Sequence, residues 1–178
     1  LEFRRVLFRS GAKVIVTDVN LAAAQAVAER IGGGAAAMAL DVASEEQWIA
    51  TYAAIEERFG GLHVLVNNAG VVLNADVEDT SLEKFRWVNA IMTDGVFLGM
   101  KHAIPLMNRS GGGSIINMSS VGALLGYPMY FAYSAAKGVV RSMTKSVAVM
   151  AQVKGYKIRD RKSTRLNSSH IPLSRMPS

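Results

Sequence analysis

Length, composition and charge limit the classes of protein to which this chain can belong. Its 178 residues are 50% hydrophobic, with three His and no Cys, which allows one well-packed domain and excludes disulfide frameworks, thiolate catalysis and cysteine zinc sites; no metal is expected. The formal net charge of +6 is typical of nucleic-acid binders, but residues 11–159 carry 13 basic and 12 acidic residues, so the excess lies at the ends.

The two ends of the chain look foreign to the rest. "LEFRRVLFRS" at residues 1–10 and "DRKSTRLNS" at residues 160–168 can be encoded by opposite strands of one DNA segment that resembles a sequencing adapter. We therefore expect residues 1–10 and 160–178 to be foreign segments and residues 11–159 to form the domain. A natural basic arm at each end, able to bind nucleic acid, is the alternative; with foreign ends, no nucleic-acid partner is expected.

Strand-like and helix-like segments alternate along residues 11–159. The predicted strands are "AKVIVTD", "AAAMALDV", "LHVLVNNAG" and "GGGSIINMSS"; the predicted helices are "LAAAQAVAERI", "SEEQWIATYAAIEERF", a stretch from about Leu82 to Met107 and one from near Tyr130 to about Val153. Apolar strands joined by helices predict parallel strands with right-handed crossovers. The expected fold is α/β, a doubly wound parallel sheet with helices on both faces.

Membrane and export signals are not apparent. No apolar run reaches the roughly 18 residues that a transmembrane helix needs, and the first residues lack the apolar region of a signal peptide. We therefore expect a cytoplasmic protein with no membrane partner.

Polar and small residues lie where the predicted strands end. Asp18, Asp41, residues 67–70 and the pair Ser119 and Ser120 each follow one of the four strands. In open α/β sheets, ligands bind outside the carboxyl ends of the strands. The sequence therefore predicts a binding site at this edge of the sheet.

Tyr133 and Lys137 lie four residues apart in "YFAYSAAKGVV". On a helix such positions share one face, so the two side chains can reach one point. A phenol has a pKa of about 10, and a nearby cation typically lowers the pKa of an acid by roughly 1–3 units, which suits a general acid or base. For this pair alone, the alternative is a Tyr at the core margin and a Lys that extends into solvent.

Taken together, these motifs resemble the classical short-chain dehydrogenase/reductase family. Ser120 stands thirteen residues before Tyr133, "NNAG" precedes both, and Asp18 closes the first strand. The resemblance covers nearly all of residues 11–159 and implies a Rossmann-like fold. It also implies an oxidoreductase that transfers a hydride between NAD(H) and a small secondary alcohol or ketone.

The resemblance implies a role for each matching residue. Ser120 would hydrogen-bond the substrate oxygen, Tyr133 would be the general acid or base, and Lys137 would be the cation that also holds the nicotinamide ribose. The other implied cofactor contacts are Asp18 at the adenosine ribose, Asp41 and Val42 at the adenine, and Asn68, Ala69 and Gly70 along the cofactor backbone. The Asp18 carboxylate would repel the 2′-phosphate of NADP, which favours NAD. A helix N-cap is the alternative role for Asp18, and an ordinary turn is the alternative for "NNAG".

Two features depart from the family pattern. Met92 stands where the family usually has a proton-relay Asn, and Asn89, one turn earlier on the same face, is the candidate replacement. The family's first strand and its glycine-rich phosphate loop have no counterpart before Lys13, and its C-terminal strands have none after Arg159. We therefore expect a chain truncated at both ends, with impaired activity and with the strands on either side of the missing one left unbridged.

Two further expectations concern partners and function. The helices that carry "VFLGMKHAIPLM" and Tyr133 are apolar enough to make the full-length parent a homo-oligomer, although the same residues could pack as core. A non-enzymatic dinucleotide-binding or assembly module on the same scaffold is the alternative to an enzyme, and Met92 favours it. The residues that match the family do not identify the substrate.

Overall fold

The computed structural model describes residues 11–163, with side chains described for residues 11–159. Within that range, strands and helices alternate as predicted. In chain order, the elements are β1 (Ile15–Asp18), α1 (Leu21–Ile31), β2 (Ala36–Ala39), α2 (Glu45–Phe59), β3 (Val64–Asn67), α3 (Leu82–Asn89), a π-helical segment (Ala90–Asp94), α4 (Gly95–Arg109), β4 (Gly113–Met118), a 3₁₀ turn (Val121–Ala123), α5 (Phe131–Val153) and β5 (Ile158–Ser163). The α/β fold with parallel strands is confirmed.

The parallel strands form two separate sheets. β1 pairs with β2, starting with Ile15 opposite Ala36, while β3, β4 and β5 form the second sheet, in which Val64 lies opposite Ser114. Among the described residues, β1 and β3 each pair on one side only. In the doubly wound order 3-2-1-4-5-6, a further strand lies between these two. Within residues 11–163 no strand occupies that place; the expectation that the flanking strands are not bridged stays a prediction, because residues 1–10 lie outside the described part.

One face of β3 is partly exposed. Val64 and Val66 are each 37% exposed, whereas Leu65 between them is 8% exposed. Successive strand residues point to opposite faces, so one face of β3 is covered by the core and the other is not. A strand enclosed on both faces of a parallel sheet would bury all three.

Side-chain caps set where three of the helices begin. The side chains of Asn20, Ser44 and Ser81 accept hydrogen bonds from backbone amides in the first turns of α1, α2 and α3. Each such cap stabilises a helix by about 1 kcal/mol. α2 ends at Gly60, whose φ of 77° is left-handed and therefore favours glycine.

The predicted helical stretch from about Leu82 to Met107 is helical throughout, but the sequence did not indicate that its turn at Ala90–Asp94 is π-helical. The Thr93 hydroxyl donates to the Asn89 carbonyl at 2.5 Å and competes for the acceptor of a regular turn. Just after the π-helical segment, Gly95 lies against Val42; a Cβ atom at Gly95 would be 2.9 Å from Val42 Cγ2. Helix periodicity alone does not reveal these contacts. π-Helical turns inside α-helices are frequent at functional sites.

The main core lies between the helices and the second sheet. Ala103, Met107, Ile115 and Val140 are fully buried in it. A smaller cluster beneath Tyr133 is formed by Val88, Met92, Ala132 and Ala136. Most of "VFLGMKHAIPLM" faces the main core, with Phe97 exposed. The oligomeric interface on this stretch therefore stays a prediction.

α5 is a helix of 23 residues, but it carries charged residues along its length. No helix within residues 11–163 combines the length and the apolar character that crossing a membrane requires.

β5 was not predicted from the sequence. It pairs in parallel with β4, from Gly113 opposite Ile158 to Met118 opposite Ser163. Its last four residues, 160–163, carry no apolar pattern that would indicate a strand; their pairing is a tertiary contact with the edge of β4. The assignment of residues 1–10 and 160–178 as foreign stays a prediction, and residues 1–10 and 164–178 lie outside the described part.

Two glycines in helix interiors provide a test of the packing. A Cβ atom at Gly99 in α4 would lie 2.6 Å from Asn67 Oδ1 and 3.2 Å from the Trp48 ring, whereas a Cβ at Gly138 in α5 would meet nothing within 4 Å. We expect Gly99→Ala to lower the free energy of unfolding by about 1–3 kcal/mol. Gly138→Ala should raise it by about 0.5–1 kcal/mol, because alanine loses less backbone entropy. Urea unfolding of both variants measures this; equal effects would contradict the packing at Gly99.

Candidate active site

Lys137 lies buried in the first half of α5, against the end of β4. It is 6% exposed, and its Nζ donates to the Met118 carbonyl at 2.6 Å. The Ser119 hydroxyl in turn donates to the Lys137 carbonyl at 3.2 Å. Two consecutive residues at the end of β4 therefore hold one residue of α5, at the edge of the sheet where the sequence predicts a site.

Tyr133 and Lys137 share one face of α5, as their spacing predicts. The Lys137 Nζ lies 5.7 Å from the centre of the Tyr133 ring, within the range of cation–π attraction. Because Lys137 is buried, the alternative in which it extends into solvent does not hold here. The ammonium therefore lies close enough to act on the phenol electrostatically.

Burial changes the proton affinity of Lys137. It lowers the pKa of the amine from 10.5 to about 8, because the charged form loses hydration. Strongly shifted pKa values cluster at functional sites, since a group that titrates near the working pH can take part in proton chemistry.

Ser120 is positioned by the 3₁₀ turn that follows β4. Its Oγ accepts a hydrogen bond from the Gly122 amide at 3.2 Å, and the residue is 6% exposed. A Cβ atom at Gly122 would lie 3.7 Å from both Ser120 Oγ and Tyr133 Cε1. Gly122 is therefore next to both groups, and its small size matters for α5, because the same Cβ would lie 3.0 Å from Ser134 Oγ.

The "NNAG" segment and the π-helical segment meet the lysine from the other side. A Cβ atom at Gly70 would lie 3.9 Å from Lys137 Nζ and 3.9 Å from Met92 Cε. Met92 is 1% exposed, and its apolar side chain packs in the cluster that Tyr133 also contacts. The structure thus brings Gly70 and Met92 to the Tyr133–Lys137 pair.

The candidate relay residue Asn89 is engaged in its own helix. Its Nδ2 donates to the Phe85 carbonyl at 2.8 Å, and its Oδ1 lies 3.4 Å from the Thr93 hydroxyl. Among residues 11–159, no described hydrogen bond joins Asn89 to Tyr133 or Lys137. Its role as a replacement relay therefore stays a prediction that no contact supports.

The predicted adenosine contacts lie at the ends of the other sheet. Asp18 is exposed at the end of β1, and its Oδ1 accepts from the Asn20 amide at 2.9 Å. The N-cap of α1 is Asn20, so the alternative role of Asp18 as a helix N-cap does not hold. After β2, the Asp41 Oδ1 accepts from the Ala43 amide at 2.9 Å, and Val42 packs on α4 at Gly95. Asn68 and Ala69, beyond β3, are exposed.

Three features of the site were not predicted from the sequence. The Met118 carbonyl that receives the ammonium is a backbone atom, and residue identity gives no signal for it. Met92 departs from the family pattern, and the sequence gives no sign that its apolar side chain packs in the cluster beneath Tyr133. Gly122 was missed as well; its place two residues after Ser120, just before an apolar stretch, was the available signal.

Comparison with known proteins places this geometry in a family. A family model described as "Enoyl-(Acyl carrier protein) reductase" matches residues 4–159. A 3-beta-hydroxysteroid dehydrogenase of Comamonas testosteroni is 42% identical over 159 residues, which cover 89% of this chain and 62% of that protein. An NADP-dependent (R)-specific alcohol dehydrogenase of Lentilactobacillus kefiri is 39% identical over 152 residues, which cover 84% of this chain and 60% of that protein.

A solved structure resembles the fold closely. A short chain dehydrogenase/reductase from Burkholderia phymatum in complex with NAD superposes with a TM-score of 0.86 at 27% identity, covering 90% of this chain and 58% of the other. The chain therefore spans about 60% of the length of the proteins that it matches.

The shifted pKa of Lys137 predicts a pH-dependent stability. Between pH 8 and 10.5 the unfolded chain holds the Lys137 proton and the folded chain releases it, so the free energy of unfolding rises with pH across that window. The gain is up to about 3 kcal/mol, since one pKa unit corresponds to about 1.4 kcal/mol. Lys137→Met should lack this gain. Chemical unfolding of both proteins at several pH values measures the difference; parallel pH profiles would contradict the buried amine.

Proposed function

The chain belongs to the short-chain dehydrogenase/reductase family, and from this premise we propose that it catalyses hydride transfer between NAD(H) and a secondary alcohol or ketone. The observation that supports this most directly is the buried Lys137 ammonium, 5.7 Å from the Tyr133 ring and close to Gly70. The relatives named above are a hydroxysteroid dehydrogenase and an alcohol dehydrogenase, which favours a secondary alcohol as the substrate class.

Tyr133 and Ser120 would handle the substrate oxygen. In reduction, the Tyr133 hydroxyl donates its proton to the carbonyl oxygen as negative charge develops there; in oxidation, the Tyr133 phenolate takes the proton from the alcohol and becomes the phenol again. The Ser120 Oγ already accepts from the Gly122 amide, so its own proton is available to the substrate oxygen. The Lys137 charge stabilises the phenolate left after proton transfer. The bound nicotinamide would supply or accept the hydride.

The described residues fit the two ends of a dinucleotide. At the nicotinamide end, Gly70 leaves room for a ribose close to the Lys137 ammonium, and at the adenosine end Asp18 presents an exposed carboxylate for ribose hydroxyls. Among the described residues, neither run of three glycines forms a phosphate loop, because residues 32–34 follow a helix and residues 111–113 precede a strand. The pyrophosphate contacts are therefore not part of the proposal.

We propose NAD as the preferred cofactor. The exposed Asp18 carboxylate can accept hydrogen bonds from both ribose hydroxyls, and it repels the 2′-phosphate of NADP. The relatives use both forms, since one is named for NADP and one was solved with NAD. The preference is therefore argued from Asp18 and not from the relatives.

A non-enzymatic dinucleotide-binding or assembly module is the second candidate. Met92 favours it, because an apolar thioether close to Lys137 cannot pass protons as an amide or an ordered water can. The two candidates differ in one measurable property: the enzyme oxidises an alcohol, whereas the module binds NADH without turnover.

Replacing Tyr133 by Phe tests the catalytic role. We expect Tyr133→Phe to lower kcat for NAD-dependent oxidation of a 3β-hydroxysteroid or a simple secondary alcohol by at least about 100-fold, because the proton acceptor is lost. NADH binding, measured by fluorescence, should be retained. Tyr130→Phe, three residues earlier, is the matched control and should keep full activity. Unchanged turnover in Tyr133→Phe would contradict the role, and wild-type NADH binding without turnover would favour the module.

Replacing Asp18 by Ala tests the cofactor preference. We expect Asp18→Ala to lower kcat/KM for NAD and to raise it for NADP, because the hydrogen bonds to the ribose and the repulsion of the 2′-phosphate disappear together. Asp76→Ala, in the loop after β3, is a control for the loss of one negative charge. An NAD/NADP ratio that stays the same in Asp18→Ala would refute the role of this carboxylate.

A further inference from the structure

A buried chain of side-chain hydrogen bonds joins three elements beneath the site. The Asn67 Nδ2 on β3 donates to the Asn117 Oδ1 on β4 at 2.8 Å, and the Asn117 Nδ2 donates to the Thr144 Oγ1 on α5 at 3.0 Å. The Thr144 hydroxyl donates to the Val140 carbonyl at 2.8 Å, within α5. Asn67, Asn117 and Thr144 are 7%, 0% and 4% exposed. In so dry a setting, an unpaired amide or hydroxyl is costly, so the network favours one arrangement.

Each member of the network is next to a segment of the candidate site. Asn67 immediately precedes residues 68–70, and Asn117 immediately precedes Met118, which receives the Lys137 ammonium. Thr144 follows Lys137 by seven residues, which is close to two helical turns, so both side chains lie on the face of α5 that meets β4. The network therefore connects β3, β4 and α5 where all three contribute to the site.

Two attachment points fix a helix better than one. The first joins Lys137 to the end of β4 through Met118 and Ser119; the second joins Thr144 to Asn117. A helix rises about 1.5 Å per residue, so these points lie roughly 10 Å apart along α5. With the first point alone, α5 can pivot about Lys137. With both attachment points, the rotation of α5 and its position along β4 are fixed together.

We propose that Asn117 and Thr144 are positioning residues that hold α5 in the register at which the Lys137 ammonium reaches the Met118 carbonyl beside Tyr133. Asn117 also lies against α4, with its Nδ2 3.4 Å from Met100 Sδ, so the strand side of the network is held from three directions. The role of Lys137 in hydride transfer rests on the proposed function. The placement of its side chain by Asn117 and Thr144 does not depend on that function.

The pKa of Lys137 indicates whether its ammonium keeps its buried position at the Met118 carbonyl. The described groups next to its Nζ are the Tyr133 ring on α5, the Met118 carbonyl on β4 and Gly70, which also lies close to the Met92 methyl group. Tyr133 is the titratable one among them. Burial is the cause that lowers the pKa of Lys137, so a helix that pivots and admits water should return that pKa towards 10.5.

Two substitutions of Thr144 distinguish the effect of its hydroxyl group from the effect of its side-chain shape. Thr144→Val keeps the shape and removes the hydrogen bond, whereas Thr144→Ser keeps the hydroxyl. Lysine labelled with ¹⁵N gives an Nζ signal for Lys137, assigned with Lys137→Arg, and a pH titration of that signal measures the pKa. We expect Thr144→Val to raise the pKa by about one unit or more, and Thr144→Ser to leave it near 8.

Ser110→Ala is the control for a general loss of stability. It removes the hydrogen bonds of Ser110 Oγ with the Leu106 carbonyl at 2.8 Å and the Leu62 amide at 3.1 Å, before the start of β4 and without contact to the network. It should lower Tm without moving the Lys137 titration. Equal titrations in wild type and Thr144→Val, or a shift in Ser110→Ala of the same size as in Thr144→Val, would overturn the proposal.

Folding failure also gives an answer. If Thr144→Val does not fold, Thr144→Ala is titrated in its place with the same expected shift. If neither folds while Thr144→Ser does, the hydroxyl serves folding and not positioning, and the proposal is overturned. The titration uses neither cofactor nor substrate. It can therefore support the positioning proposal even if the Tyr133→Phe assay contradicts the proposed function, and the assay can support the function even if the titration contradicts the positioning. The two proposals are therefore tested separately.

Discussion

The bond between the Lys137 ammonium and the Met118 carbonyl is the interaction on which the site depends. An ammonium taken out of water is costly unless oxygen atoms replace its hydration. Within a parallel sheet the carbonyls are used by neighbouring strands, but the last carbonyl of β4 is available where the chain leaves the ladder. Once Lys137 is seated there, helix geometry places Tyr133 one turn earlier, beside the 3₁₀ turn that carries Ser120.

Because the described strands form two sheets, helix packing positions the two groups of predicted site residues relative to each other. The predicted adenosine contacts follow β1 and β2, whereas the predicted catalytic residues follow β4 and lie on α5. Among the described strands, no ladder joins the two groups. They are linked by α2 and α4 instead: the Trp48 Nε1 donates to the Val42 carbonyl at 2.9 Å, and Val42 packs directly on Gly95. Among the described residues, side-chain packing therefore sets how the two groups of predicted contacts lie relative to each other.

The sequence predicted features that depend on a single helix or strand. It did not predict features that depend on tertiary contacts. The apolar runs revealed the first four strands, and the four-residue spacing placed Tyr133 and Lys137 on one face, because both patterns follow from the geometry of a single element. The π-helical turn is followed directly by the tertiary contact of Gly95 with Val42, and β5 pairs with the edge of β4. The acceptor for Lys137 is a backbone atom. None of these has a periodic pattern.

The Met118 carbonyl at the end of β4 holds the Lys137 ammonium out of water. The most direct measurement is the scalar coupling across that hydrogen bond, from the Lys137 ¹⁵Nζ to the Met118 carbonyl ¹³C, at a pH below about 8, where the amine is charged. The account predicts a measurable coupling, with ammonium protons that exchange slowly with water. A signal in fast exchange with water and without coupling would show a hydrated lysine and would contradict the account.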